Sequence, residues 1–123
     1  MAKIDRFEDI EAWQKARVLV KEVYRFSGMG LLGKDYGMKD QIRRAVVSIM
    51  SNIAEGFGRR SNTEFANFLN YSHGSTAEVQ SLLYVALDQL YISHEQFESA
   101  YNQCDEISRM VLSLGTYLRK NKK

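Results

Sequence analysis

Apolar residues recur along this chain at steps of three and four, the spacing that lines them up on one side of an α-helix. The first stripe is Ile10, Trp13, Ala16, Val20 and Val23, flanked by Leu19 and Phe26. It predicts a helix from about Arg6 to Phe26 with Asp5 as N-cap. A glycine-rich connection, Ser27 to Lys34, follows. Ile42, Val46, Ile49 and Ile53 predict a second helix from about Tyr36 to Phe57. Gly56 or Gly58 is expected to end it in the left-handed conformation. Ser61 and Glu64 form an S-x-x-E capping box that opens a third helix. That helix carries the seam Phe65, Leu69, Ser72, Thr76, Val79, Leu83, Ala86 and Leu90. A second box, Ser93 to Gln96, opens a fourth helix with the seam Phe97, Ala100, Cys104, Ile107, Val111, Leu114 and Leu118. Short connections between helices of similar length imply antiparallel neighbours. The expected fold is all-α: one domain over residues 1–123, an up-down-up-down antiparallel four-helix bundle with a short basic tail at 119–123.

Composition agrees with this pattern. The chain has 123 residues, 45% hydrophobic and 26% charged, with no proline. Average usage of roughly 5% would give about six prolines, and long helices exclude proline because it lacks the amide donor. A single cysteine, Cys104, excludes an intrachain disulfide and a multi-cysteine metal site. The start MAKIDRFEDIEAW has no apolar signal core. No run approaches the roughly 18 apolar residues of a membrane span. A cytoplasmic protein without membrane contact is expected.

The stretch GMGLLGKD, Gly28–Asp35, spells the dinucleotide pattern G-x-G-x-x-G and nearly a P-loop. Such turns bind phosphate because they leave a strand and open a helix, aiming amides at the ligand. This one leaves a helix, and Asp35 replaces the hydroxyl that would hold magnesium. It reads as a flexible interhelical loop, and no cofactor is expected.

The second helix has more apolar surface than one bundle core needs. Val47, Met50 and Ala54 form a second face, and Ala45, Ser48, Asn52 and Glu55 lie between it and the core stripe. A bundle helix ordinarily buries one stripe about 100° wide. The third helix carries an off-seam stripe of Tyr71, Gly74, Glu78 and Ser81. Mid-helix glycine costs about 1 kcal/mol against alanine, so close approach of another backbone is its usual reason. These residues are expected to form a subunit interface; tight packing within one chain is the alternative.

Three segments, FEDIEAWQKAR (Phe7–Arg17), QIRRAVVSIMSNIAEGFGRRS (Gln41–Ser61) and EFANFLNYSHGSTAEVQ (Glu64–Gln80), resemble the four-helix-bundle proteins encoded by intervening sequences of bacterial large-subunit ribosomal RNA. That family is often labelled a ribosomal protein family. Its members typically have proline after SI and in the first loop; here Met50 and the glycine-rich loop stand instead. The resemblance implies ring-like homopentamers without established catalysis. It also implies a relation to the accessory protein of diversity-generating retroelements, which binds reverse transcriptase and nucleic acid.

Charge is uneven beneath a net +2. Residues 1–60 hold 12 Lys/Arg against 8 Asp/Glu, residues 61–118 hold 1 against 7, and the tail RKNKK adds four. Basic residues gather at the ends of the second helix: Lys34 and Lys39 near its start, Arg43 and Arg44 in its first turns, Arg59 and Arg60 beyond its end. Repeated around a ring, Lys39, Arg43, Arg44, Arg59 and Arg60 would multiply weak phosphate contacts into avidity with RNA or DNA. The plainer alternative is a solvated Arg43, an Arg44 paired with Asp40 at i−4, and Arg59 and Arg60 favoured by a helix C-terminus. Glu55 is expected to find a partner in Arg59, in Arg44 of a neighbouring subunit, or in the following turn's amides.

Enzyme chemistry has little to stand on. His73 and His94 lack the E-x-x-H and i+4 spacings of di-iron and zinc sites, so no metal is expected. Cys104 lies on a core seam, where a small core residue is expected rather than a nucleophile. Two functions of different class remain: a non-catalytic nucleic-acid-binding homo-oligomer, and a protein-interaction scaffold that binds a protein partner without nucleic acid.

Overall fold

The computed structural model describes residues 3–121. Five α-helices occur among them and no strand: α1 (Glu11–Ser27), α2 (Gly30–Lys34), α3 (Tyr36–Phe57), α4 (Asn62–Asp88) and α5 (His94–Lys120), with a 3-10 turn at Phe7–Asp9 ahead of α1. The all-α expectation holds. Two boundaries differ from expectation. The first helix starts at Glu11, because Asp9 Oδ2 accepts the amides of Asp5 and Arg6, each at 3.3 Å, and closes a separate turn. Asp5 is therefore not the helix N-cap. Ile10, extended at ψ 117°, follows that turn and is buried. The supposed flexible loop contains α2, which inserts the fully buried Leu32. Two of its glycines have definite roles. Gly30 has φ +56°, and a Cβ on Gly33 would lie 2.7 Å from the Gly28 carbonyl oxygen.

The four long helices enclose one core. α1 packs on α3 and α5, and α4 packs on α3 and α5. Along α3 and α4, Gly56 meets Phe65 and Phe68, Ser72 Oγ donates to the Ile49 carbonyl at 2.8 Å, and Ser48 and Ser75 share a 2.8 Å hydrogen bond. Along α4 and α5, Asn62 Nδ2 reaches the Asn121 carbonyl, His73 Nδ1 meets Ser108 Oγ at 2.7 Å, and Gln80 donates to Asp105 at 2.8 Å. Along α1 and α5, Lys15 pairs with Glu106 at 3.5 Å and Glu22 accepts from Ser99 and Gln103.

The seams are buried as their spacing predicts, with local shifts. In α1 the buried line is Ala12, Ala16, Leu19, Val23 and Phe26, while Trp13 and Val20 are half-buried at its edge. Trp13 stands edge-on to Phe7 of the preceding turn. Leu90 is the one clear failure. It is 85% exposed with φ +62°, because α4 has ended at Asp88 and the chain reverses through Leu90. Phe97 is half-buried rather than buried, covered by Tyr84 and Tyr101.

The caps also refine the expectations. The Ser93–Gln96 box is reciprocal, at 2.9 and 3.1 Å. The Ser61–Glu64 box is half-formed: Ser61 Oγ accepts the Glu64 amide at 3.1 Å, but the Glu64 carboxylate takes the Ser61 hydroxyl instead of its amide. Gly58 ends α3 at φ −77°, so the left-handed cap is absent. Gly56 is needed for close approach: a Cβ there would lie 2.7 Å from Phe68 Cβ. The buried polar side chains Ser27, Ser72 and Thr76 are all hydrogen-bonded.

Candidate nucleic-acid interface

The expected basic residues fall at opposite ends of α3. That helix has 22 residues, so its ends lie about 33 Å apart. They do not form one patch within a chain.

At the N-terminal end, Asp35 Oδ1 caps α3 by accepting the Met38 amide at 3.2 Å, and Asp35 Oδ2 accepts the Tyr91 hydroxyl at 2.8 Å. This pins the start of α3 to the α4–α5 connection. About two turns on, Arg43 crosses to the end of α1. Its Nε donates to the buried Ser27 hydroxyl at 2.8 Å, and its Nη2 donates to the Tyr24 carbonyl at 3.1 Å. Its guanidinium lies 4.4 Å from the Tyr24 ring centroid. Arg43 is thus not simply solvated. It satisfies a C-terminal carbonyl of α1 and joins two helices. Arg44 takes the plainer course and pairs with Asp40 at 2.9 Å on the exposed surface.

Tyr36 and Lys39 lie beside this clamp. Lys39 Nζ is 5.7 Å from the Tyr36 ring centroid, and Tyr36 is 75% exposed. With Gly37, Asp40 and Arg43 they line an open hollow of about 500 Å³. On α1, Arg17, Lys21 and Arg25 repeat every four residues on the exposed side. These three are not among the basic residues expected from the sequence, although their i, i+4, i+8 spacing marks one face of a helix. Glu22 points away, toward Ser99 and Gln103 of α5.

At the other end, Arg59 lies 4.4 Å from the Phe68 ring centroid, and Phe68 stands edge-on to the exposed Tyr71. Arg59 and Arg60 line a hollow of about 360 Å³ with Lys3, Asn62 and Tyr117. Arg119 and Lys120 belong to the last turn of α5 and are not free tail. The remaining tail lysines, Lys122 and Lys123, lie outside the described residues. Glu55 is exposed, and no ion pair within the chain reaches it among the described residues, because Arg59 turns to Phe68 instead. Four ion pairs occur among the described residues: Lys3–Asp5, Arg6–Glu8, Lys15–Glu106 and Arg44–Asp40. Arg17, Lys21, Arg25, Lys34, Lys39, Arg59 and Arg60 have none.

The expected interface residues are divided by the fold. Val47, Tyr71, Gly74 and Glu78 are exposed. Met50 and Ala54 are half-buried, and Met50 packs against the core, so Val47, Met50 and Ala54 are not one open stripe. Ala45 is buried, and Ser48 bonds Ser75 inside the α3–α4 seam. Close packing within the chain accounts for these small residues. It does not account for Gly74, whose added Cβ would meet nothing within 4 Å.

Burial pushes the Cys104 thiol up to about 12, which leaves almost no thiolate at neutral pH. His73 and Ser108 touch, but they sit inside helices whose amides are engaged in backbone hydrogen bonds and supply no oxyanion donors. No helix among the described residues is long and apolar enough to cross a membrane.

No protein of curated function matches the chain. A crystal structure from Bacteroides thetaiotaomicron, described as a protein of unknown function from the S23 ribosomal protein family, superposes with a TM-score of 0.76 at 28% identity. The match covers 84% of this chain and 96% of that one. The family model described as 23S rRNA-intervening sequence protein matches residues 8–113. That span runs from the turn before α1 to the last third of α5, and the chain belongs to the 23S rRNA-intervening sequence protein family.

Proposed function

We propose that this protein is a non-catalytic homo-oligomer, an up-down-up-down four-helix bundle assembled as a pentamer, that binds nucleic acid through basic surfaces repeated by each subunit. The single observation that carries the reading is the set of cations without a carboxylate partner. Arg17, Lys21, Arg25 and Lys39 lie on α1 and the adjoining start of α3, while Arg59 and Arg60 lie beyond its far end. An exposed cation without a local counter-charge is available to phosphate, and each phosphate neutralised releases counterions. The family description points to ribosomal RNA intervening sequences as the genetic setting, which favours a cytoplasmic RNA or ribosome-associated ligand. A retroelement-type role is the variant of this reading in which reverse transcriptase is a second partner. The opposed contact registers of α3 with α4, of α4 with α5 and of α1 with α5 support the antiparallel bundle. Pentameric assembly rests on the family resemblance, and the open space at Gly74 beside exposed Tyr71 supports α4 as the face toward a neighbouring subunit.

The test is binding to structured RNA and duplex DNA over a salt series, on protein whose mass is fixed by light scattering. The expected result is affinity that falls on a log–log salt slope of several units, reduced by charge reversal at Arg59 and Arg60 or at Lys21 and Arg25. No binding at low salt overturns the nucleic-acid reading in favour of a scaffold for a protein partner. A monomeric mass overturns the homo-oligomer.

A further inference from the structure

We infer that the hollow at the start of α3 is a stacking site for unpaired bases, so that the preferred ligand is single-stranded nucleic acid. This rests on the nucleic-acid reading and names its substrate class. Tyr36 is the most exposed aromatic side chain of the described residues, at 75%. Exposure of that size has little return in folding free energy, since most of the ring stays in water. Its backbone is fixed all the same. It occupies the first position of α3, directly after the Asp35 cap that also binds Tyr91. One side of the ring is met by Lys39 Nζ at 5.7 Å. Arg43 borders the same hollow and stacks on Tyr24, itself 42% exposed.

One open ring, Tyr36, therefore lies beside the unpaired cation Lys39 at the start of α3, while Arg43 and the Tyr24 ring it covers are held by the contacts that join α1 to α3. A stacking ring beside a phosphate-binding cation is what a splayed single strand requires. A duplex keeps its bases stacked on one another and offers Tyr36 no face. The one carboxylate lining the hollow, Asp40, is occupied by Arg44, which lowers its repulsion of phosphate. The Arg59 cluster does not qualify in the same way, because its guanidinium covers Phe68 and that ring is half-buried.

The experiment compares three probes on the full-length assembled protein: a twenty-nucleotide oligothymidylate, an abasic oligomer of the same length, and a duplex of twenty base pairs. Oligothymidylate is expected to bind at least fivefold more tightly than the abasic oligomer. Tyr36→Ala is expected to weaken oligothymidylate binding roughly tenfold, since stacking on one base contributes about 1–3 kcal/mol. It should leave the salt slope and duplex binding unchanged, because no phosphate contact is lost. Tyr36→Phe is expected to retain affinity, and Lys39→Ala to reduce the slope instead. An exposed side chain can be exchanged without unfolding, which circular dichroism verifies. Equal binding of the abasic oligomer, or wild-type affinity in Tyr36→Ala, overturns the stacking site while phosphate binding stands. Absence of binding to all three probes at low salt overturns the nucleic-acid reading itself.

Discussion

Gly56 shows how one residue sets the spacing of two helices. It is buried on α3 where Phe65 and Phe68 of α4 cross, and an added Cβ would lie 2.7 Å from Phe68 Cβ and 2.9 Å from Phe65 Cδ1. Neither distance can be absorbed by a flexible side-chain end, so the backbones would have to part. Alanine has the better helix propensity by about 1 kcal/mol. Overpacking costs about 1–3 kcal/mol, and here it also strains the edge-on pair of Phe57 and Phe65. Gly56→Ala is expected to lower the urea midpoint, with a net loss of up to about 2 kcal/mol. An unchanged or raised midpoint would mean that the helices accommodate the methyl group. The sequence placed a glycine at a helix end and suggested a left-handed cap. Its real constraint is the approach of another helix, which no local pattern displays.

At the scale of elements, the long helices were legible and their junctions were not. α3 runs from Tyr36 to Phe57 as its apolar steps foretell, and Ile42, Val46, Ile49 and Ile53 are fully buried in the core. The turn at Asp9 and the helix α2 were missed, since a short element is decided by one side chain: Asp9 folding back on two amides, Leu32 entering the core. The candidate site shared that fate. Basic residues at both ends of α3 were visible in the sequence. The crossing of Arg43 to Tyr24 and Ser27, which ties one end to α1, depends on tertiary distance. The same end is fastened by Tyr91 to Asp35, and this contact has a pH signature. The Tyr91 phenol is held above its ordinary 10.0, first by its hydrogen bond to Asp35 and then by burial and the carboxylate's charge. The folded chain thus keeps a proton that the unfolded chain releases near pH 10. The contribution is complete below that pH and is lost as pH rises through the folded value. Tyr91→Phe is expected to have a lower melting temperature at neutral pH and a shallower decline above pH 10 than the wild type. Parallel alkaline profiles would show that the contact does not contribute. Tyr101, raised chiefly by the neighbouring Tyr84, accounts for part of the decline that remains.

For the whole molecule, the distribution of charge and the open face of α4 bear on assembly together. Residues 1–60 carry the excess of cations and residues 61–118 the excess of acids, a segregation that in the proposed assembly would favour contact between unlike segments of neighbouring copies. Gly74 lies on the acidic half, exposed beside Tyr71, in the middle of a 27-residue helix. Among the described residues, nothing lies within 4 Å of a Cβ added there. A glycine that weakens the helix by about 1 kcal/mol and fills no intrachain contact is what the proposed assembly would place against a neighbouring subunit. Gly74→Leu separates the two effects, because leucine is nearly as good a helix former as alanine. In an isolated chain the substitution is expected to raise the denaturation midpoint. In an assembly it places a bulky side chain where a neighbouring backbone would lie. The expected outcome is a particle that falls toward the single-chain mass of 14.2 kDa in light scattering, while its helical signal is retained. Nucleic-acid affinity should fall with the mass, because one subunit's basic surface is weak without its repeats. A variant that keeps the wild-type mass would move the subunit contact off α4. One that keeps its affinity after dissociating would show that a single chain's cations suffice.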